Sequence, residues 1–169
     1  MKKLLVCLLS ISFLLTGLLI AADFPDQQEH ASCSYCGMNR VKFAHSRMLV
    51  EYDEGAAVGT CSLHCAAIEF ATTINRTPST ISVADFNSRE LLDAEQASWV
   101  IGGDKQGVMT MRGKWAFADK AAAEKFVSNS GGIIVGFDQA MKAAYEDMYK
   151  DTMMIRKKRK MKMQQAGTH

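Results

Sequence analysis

The stretch "AAVGTCSLHCAAIEFATTIN", residues 56–75, carries the decisive change of rhythm in this chain. Residues 56–61 alternate and are β-prone. From 62 onward, apolar residues recur at 63, 66–68, 70, 71 and 74, the spacing of one helix face. Ser62 stands where an N-cap belongs. Upstream, "SRMLVEYD" (46–53) reads as a strand and Glu54-Gly55 as the turn of a hairpin. Downstream, "STISVADF" (79–86) follows Pro78 as a further strand, so the unit is ββαβ.

The second half repeats the plan. "ASWVIGG" (97–103) and "KWAFA" (114–118) read as strands, "DKAAAEKFVSNS" (119–130) as a helix capped by Asp119, and "IIVGF" (133–137) as a returning strand. At an offset of 56 residues, Ala66, Ala67 and Phe70 fall on Ala122, Ala123 and Phe126, and Cys61 falls on Phe117. The expected architecture is therefore α+β, two tandem ββαβ units (about 33–86 and 97–136, within a domain spanning 23–136) followed by a C-terminal helix. The first unit is treble-clef-like. Residues 137–169 form the methionine-rich helix and its basic tail, with Met141, Tyr145, Met148, Thr152 and Ile155 on one face. A methionine stripe at that spacing reads as core packing or a partner-binding face.

The 169-residue chain opens with Met1-Lys2-Lys3, an apolar run over 4–20, and Ala21-Ala22. Residues 1–22 read as a secretory signal peptide or, if uncleaved, an N-terminal membrane anchor, and Cys7 within them as apolar filler. The protein is thus expected to be exported or periplasmic, where thiols meet oxidising conditions. Residues 23–32 read as a flexible lead-in. Lys2, Lys3 and six basic residues between Arg156 and Lys162 conceal an acidic body, since residues 23–155 carry 12 basic and 18 acidic side chains. That balance argues against a nucleic-acid partner, while the basic tail reads as a solvated helix end or a contact for an acidic surface.

Chemistry concentrates in four cysteines, spaced C-x2-C (Cys33, Cys36) and C-x3-C (Cys61, Cys65). The first pair precedes the hairpin, Cys61 closes it, and Cys65 lies one turn into the helix. A helix N-terminus and a cation both lower thiol pKa values, so the arrangement suits a thiolate metal site. Four thiolates favour tetrahedral zinc, and mixtures with methionine favour Cu(I). Two structural disulfides are the competing reading. A thiol oxidoreductase is disfavoured because the C-x2-C does not lie between a strand and a helix of a thioredoxin-like βαβ unit. His64 reads as an exposed neighbour of Cys65 and His45 as a strand-start residue. No serine or carboxylate constellation points to catalysis.

The run Cys36-Gly37-Met38, the hairpin, and "GTCSLHC" (59–65) leading into a helix with Phe70 resemble the metal-binding TRASH/YHS-type treble clef. Together with "VMTMRGKWAFADKAAAEKFVSNSGG" (108–132), the chain resembles the nitrous oxide reductase accessory protein family of the NosL type over about residues 30–140. The resemblance implies an exported Cu(I)-binding chaperone that supplies copper for a copper–sulfide centre, with a copper-accepting reductase or its assembly machinery as partner. It carries Cys36 and Met38 over as copper ligands. Met109 and Met111 lie where the second unit can offer a further thioether. Two features depart from the family pattern: no lipobox precedes the mature start, and Cys33, Cys61 and Cys65 are additional sulfurs closer to the TRASH arrangement. Zinc is the alternative metal.

Overall fold

The computed structural model describes residues 24–166; the leader lies outside the described residues. It contains strands β1 (Met48–Tyr52) and β2 (Ala57–Thr60), helix α2 (Leu63–Thr72), and strands β3 (Pro78–Ala84) and β4 (Leu91–Asp93). The second half contains β5 (Ser98–Gln106), β6 (Arg112–Phe117), α3 (Lys120–Ser130) and β7 (Ile133–Val135). A short helix α1 (Pro25–Glu29) precedes this body, and a long helix α4 (Phe137–Ala166) follows it. The class is α+β, as expected.

The two sheets share a topology. In the first, ordered β2-β1-β3-β4, the central β1 pairs antiparallel with β2 and β3; in the second, ordered β6-β5-β7, β5 pairs antiparallel with β6 and β7. In each, a hairpin leads into a helix that returns the chain to the far side of the first strand. Strand β4 extends only the first sheet and was not expected from the sequence. A parallel bridge between Asp85 and Ala116 joins the halves. It is reinforced by Phe86 N–H donating to the Ala116 carbonyl (2.8 Å) and Ala118 N–H donating to Asp85 Oδ2 (2.7 Å).

Two apolar clusters lie along this seam. One packs Met48, Leu63, Ala66, Ala67 and Val83 against Trp99, Ala116, Ala140 and Ala144, so α4 closes over α2. The other places Cys33, Cys61 and Cys65 against Val100, Trp115, Phe117 and Phe126 of the second half. Small residues on α2 and α4 allow that close helix approach, while the aromatic payload comes from β5, β6 and α3. Asp119 caps α3 as expected, accepting from Ala122 N–H at 2.7 Å. Ser62 occupies the N-cap position of α2 but makes no capping bond. Its hydroxyl instead donates to the Val108 carbonyl at 3.1 Å, tying a second-half loop to the first unit.

The expected flexible lead-in is corrected by α1, whose Asp26 and Gln27 are buried. Asp26 explains why. Its carboxylate accepts from Arg40 Nη2 and from Arg47 Nε and Nη2, all at 2.8 Å, and both arginine side chains are fully buried. Arg40 also donates to the carbonyls of Asp26, His30, Met48 and Thr60. Arg47 reaches those of Ala44 and Arg89. No helix among the described residues is long and apolar enough to cross a membrane.

Burial pushes the Asp26 carboxyl up, but the hydrogen bonds and charges of Arg47 and Arg40 outweigh it and hold the group below its usual 3.8. Its folded pKa being depressed, its stabilisation is present above about pH 4 and lost as acid titrates it. Asp26→Asn, which leaves two buried guanidiniums short of a counter-charge, is expected to cost about 3–5 kcal/mol. Denaturant unfolding at neutral pH checks this, and the gap between variant and parent should shrink below pH 4.

Candidate metal centre

Residues 33–38 form a tight knuckle. Gly37 N–H donates to the Cys33 carbonyl and Cys33 N–H to the Met38 carbonyl, each at 2.9 Å. Gly37 sits at φ +72°, in the left-handed region that glycine enters without steric cost, which is why it follows Cys36. The knuckle is then pinned to β2, because Ser34 donates through both N–H (3.0 Å) and Oγ (3.1 Å) to the Gly59 carbonyl. A Cβ on Gly59 would lie 2.6 Å from His30 Cβ and 2.9 Å from Arg40 Cζ, so the close approach of the N-terminal segment depends on it.

A third tether comes from Tyr35, between the two knuckle cysteines. Its hydroxyl donates to Glu69 Oε2 at 2.6 Å. Glu69 is buried on α2, one turn beyond Cys65, and also accepts from Tyr52 and Thr73. Burial raises the Glu69 carboxyl, yet hydrogen bonds from Tyr35, Tyr52 and Thr73, with Arg76 nearby, bring it below its ordinary value. The knuckle and the helix carrying Cys65 are therefore locked in register.

These tethers converge the four sulfurs. Cys33, Cys36, Cys61 and Cys65 present Sγ atoms all within 4.8 Å of one another, with Cys36–Cys61 at 3.4 Å and Cys61–Cys65 at 3.8 Å. All four are free thiols, not the disulfides of the competing reading. Thiolates about 2.3 Å from a tetrahedral ion lie about 3.8 Å apart, so the spacing fits a single thiophilic cation. Cys33, Cys61 and Cys65 are buried and Cys36 is half-buried, making Cys36 the most open of the four.

As thiols, the sulfurs share charge unequally. Hydrogen bonds from Cys61 and Cys65 pull Cys33 far below the ordinary thiol value against desolvation, helped by the Cys36 and Tyr35 amides. Sharing those bonds with Cys33 drives Cys61 and Cys65 up, and burial adds to it. A bound cation reverses this logic, since it deprotonates coordinating thiols outright and releases their protons.

The methionines divide. Met38 and Met109 are half-buried and pack on the cysteine-bearing cluster. Met111 does not reach it: that side chain is 60% exposed and lines a separate depression with Arg112, Glu146 and Asp147. The expectation that His64 is exposed is corrected. It is 5% exposed, with Nδ1 at 3.3 Å from Asp151 Oδ2 of α4, because the side of α2 bearing it faces that helix. Burial lowers its pKa more than Asp151 restores it. Sequence reasoning passed over Tyr35 and Glu69 as site-building residues; a tyrosine between the cysteines of a C-x2-C was the available signal.

A knuckle, a hairpin and a helix start that gather four thiols against the core of a second sheet define a soft-metal-binding α+β protein. A family model described as NosL matches residues 25–145, and the chain belongs to that family. The HTH-type transcriptional repressor CutR of Bacillus subtilis is 31% identical over 133 residues, 79% of this chain. The matched region spans 64% of that longer protein. The crystal structure of the copper chaperone NosL from Shewanella denitrificans shares the fold with a TM-score of 0.50 and 21% identity, over 63% of this chain and 87% of that one.

Tyr35→Phe removes one donor to a buried carboxylate and is expected to cost about 1.5–3 kcal/mol, the range for a hydrogen bond to a charged group. Thermal unfolding measures the loss. Since no sulfur is altered, metal stoichiometry should be retained.

Proposed function

We propose that this protein is an exported, periplasmic Cu(I) carrier, not an enzyme, which holds one ion among Cys33, Cys36, Cys61 and Cys65 and surrenders it to a copper-accepting protein. The four clustered sulfurs, with only Cys36 half-open, carry the reading. Membership of the NosL family and the shared fold of a copper chaperone support it. Within that reading the acceptor is nitrous oxide reductase or its assembly machinery, during construction of a copper–sulfide centre. The apolar leader directs export or anchors the protein to the membrane.

The chemistry of a carrier follows from the ligands. Thiolates supply affinity for a soft ion, while Met38, neutral and indifferent to protonation, is a weak ligand beside them. Delivery is then ligand exchange: an acceptor's sulfur or imidazole bonds to the ion at the Cys36 side as a cysteine bond breaks. Copper stays Cu(I) throughout. A second reading, a zinc-stabilised module for metal sensing or protein interaction, draws on the zinc-like sulfur separations and on kinship with a longer transcriptional repressor.

Anaerobic titration of the reduced protein against a Cu(I) chelator of known affinity is expected to give one tightly held ion. Cys36→Ser should weaken it by at least tenfold. An unchanged affinity in that variant would remove Cys36 from the site. Retention of zinc against a stoichiometric excess of Cu(I) would favour the module over the carrier.

A further inference from the structure

The two sides of α4 differ in kind. Ala140, Ala144, Asp147 and Asp151 are buried against the body. On the opposite side Tyr145, Tyr149, Met153, Arg156, Lys160 and Met163 follow one another at steps of four and three, which makes them one continuous stripe. All six are exposed. At 1.5 Å per residue the stripe runs for about 27 Å. We infer that this stripe is a docking surface for an anionic phospholipid bilayer, on which α4 lies lengthwise. The inference goes beyond the carrier reading and does not depend on it.

Charge is distributed along the helix as such a contact requires. The acids between Tyr145 and Met163 are engaged with the protein itself. Asp147 accepts from Arg112 (2.8 Å) and Lys114 (2.7 Å), and Asp151 lies 3.3 Å from His64. Glu146 stands 3.8 Å from both Arg112 and Lys142. Asp138 lies two turns before the stripe begins. After Asp151 no acid follows up to Ala166, whereas Arg156, Lys157, Lys158, Arg159, Lys160 and Lys162 are all basic. From Ile155 to Gln165 every described side chain is exposed. The last turns therefore carry a field of one sign, complementary to lipid phosphates.

The apolar members of the stripe favour lipid over an acidic protein. Tyr149 is 74% exposed and Tyr145 42%. Each offers an apolar ring and a hydroxyl, the combination suited to the level of the head groups. Met153 and Met163 alternate with the cations of the same stripe, and Met161 flanks it. Their side chains enter the boundary between head groups and acyl chains at the depth where the cations reach phosphate. A straight ridge meets a flat surface along its whole length. A run of like charge attracts such a surface without setting the register that a folded partner would read.

The test uses the full chain, labelled with 13C at the methionine methyls. It is mixed with bilayer discs of phosphatidylglycerol and phosphatidylcholine, or of phosphatidylcholine alone, each containing a gadolinium-chelating lipid. On the anionic discs the methyl signals of Met153 and Met163 are expected to broaden, while those of Met48 and Met141, which pack in the core, stay sharp. The broadening should fall away on phosphatidylcholine alone and in about 0.5 M salt. Arg156→Glu/Lys160→Glu should reduce it roughly tenfold or more, since each basic residue near an anionic surface gives about a fivefold gain in binding. Cu(I) stoichiometry in that variant should match the parent's. Insertion of the leader tethers parent and variant alike to both kinds of disc, so only contact by α4 makes these signals follow lipid charge. Equal broadening on both discs, or none on either, or broadening unchanged in the variant, would overturn the inference. Shifts of the same methyls with polyglutamate but not with lipid would assign the face to an acidic protein instead. Shifts with protein concentration alone would assign it to a second copy of this chain. Failure of the parent to take up Cu(I), with the broadening intact, would overturn the carrier reading and leave the docking surface standing.

Discussion

Four sulfurs crowded within 4.8 Å impose the governing constraint on this molecule. As thiolates they repel one another, and three are shut away from water. The surrounding structure responds to that repulsion in two ways. Geometry is enforced from three sides: the Gly37 turn shapes the knuckle, the Gly59 carbonyl receives Ser34, and Glu69 receives Tyr35. Charge is supplied nearby. Arg40 and Arg47 face the single carboxylate of Asp26, leaving one positive charge in surplus, and Arg40 lies near enough to feel the charge of Cys33.

The second sheet supplies the aromatic residues that pack on the cysteines. Trp115, Phe117 and Phe126 form an aromatic wall against the cysteines, with Phe86 bridging them at centroid separations of 5.1–5.6 Å. Such a wall covers the buried faces of Cys33, Cys61 and Cys65 and keeps water from them. Cys61 and Phe117 hold corresponding places at the ends of their hairpins, and both are fully buried in the same cluster. The position that bears a ligand in one half provides shielding in the other.

Much of this was legible in the sequence because it is local. The switch from alternation to helical spacing marked β2 and α2, the same switch marked β6 and α3, and Asp119 announced its own cap. What escaped depends on partners far along the chain. Nothing near Asp26 indicates burial, since its arginines lie 14 and 21 residues away. His64 looked like a surface residue because Asp151, which receives it, sits on α4. Ser62 had the identity of a cap but was claimed by the Val108 carbonyl, 46 residues distant. The three-residue β4 is too short to carry a periodic signal, and its pairing with β3 defines it.

The methionines of α4 illustrate how one pattern can serve several ends. Met141 and Met148 pack against the apolar core between α2 and the sheets, as a helical stripe ordinarily does. Two turns further, Met154 has left that core and lines the cavity beside the knuckle. Met161 and Met163 lie beyond both, exposed among the basic residues of the last turns. The helix docks through its first half because alanines 140, 143 and 144 let it approach closely, and that docking fixes where position 154 falls. A residue type chosen for adaptable packing is also a soft ligand. The docking of α4 on α2 therefore makes the place of Met154 beside the knuckle a consequence of core packing.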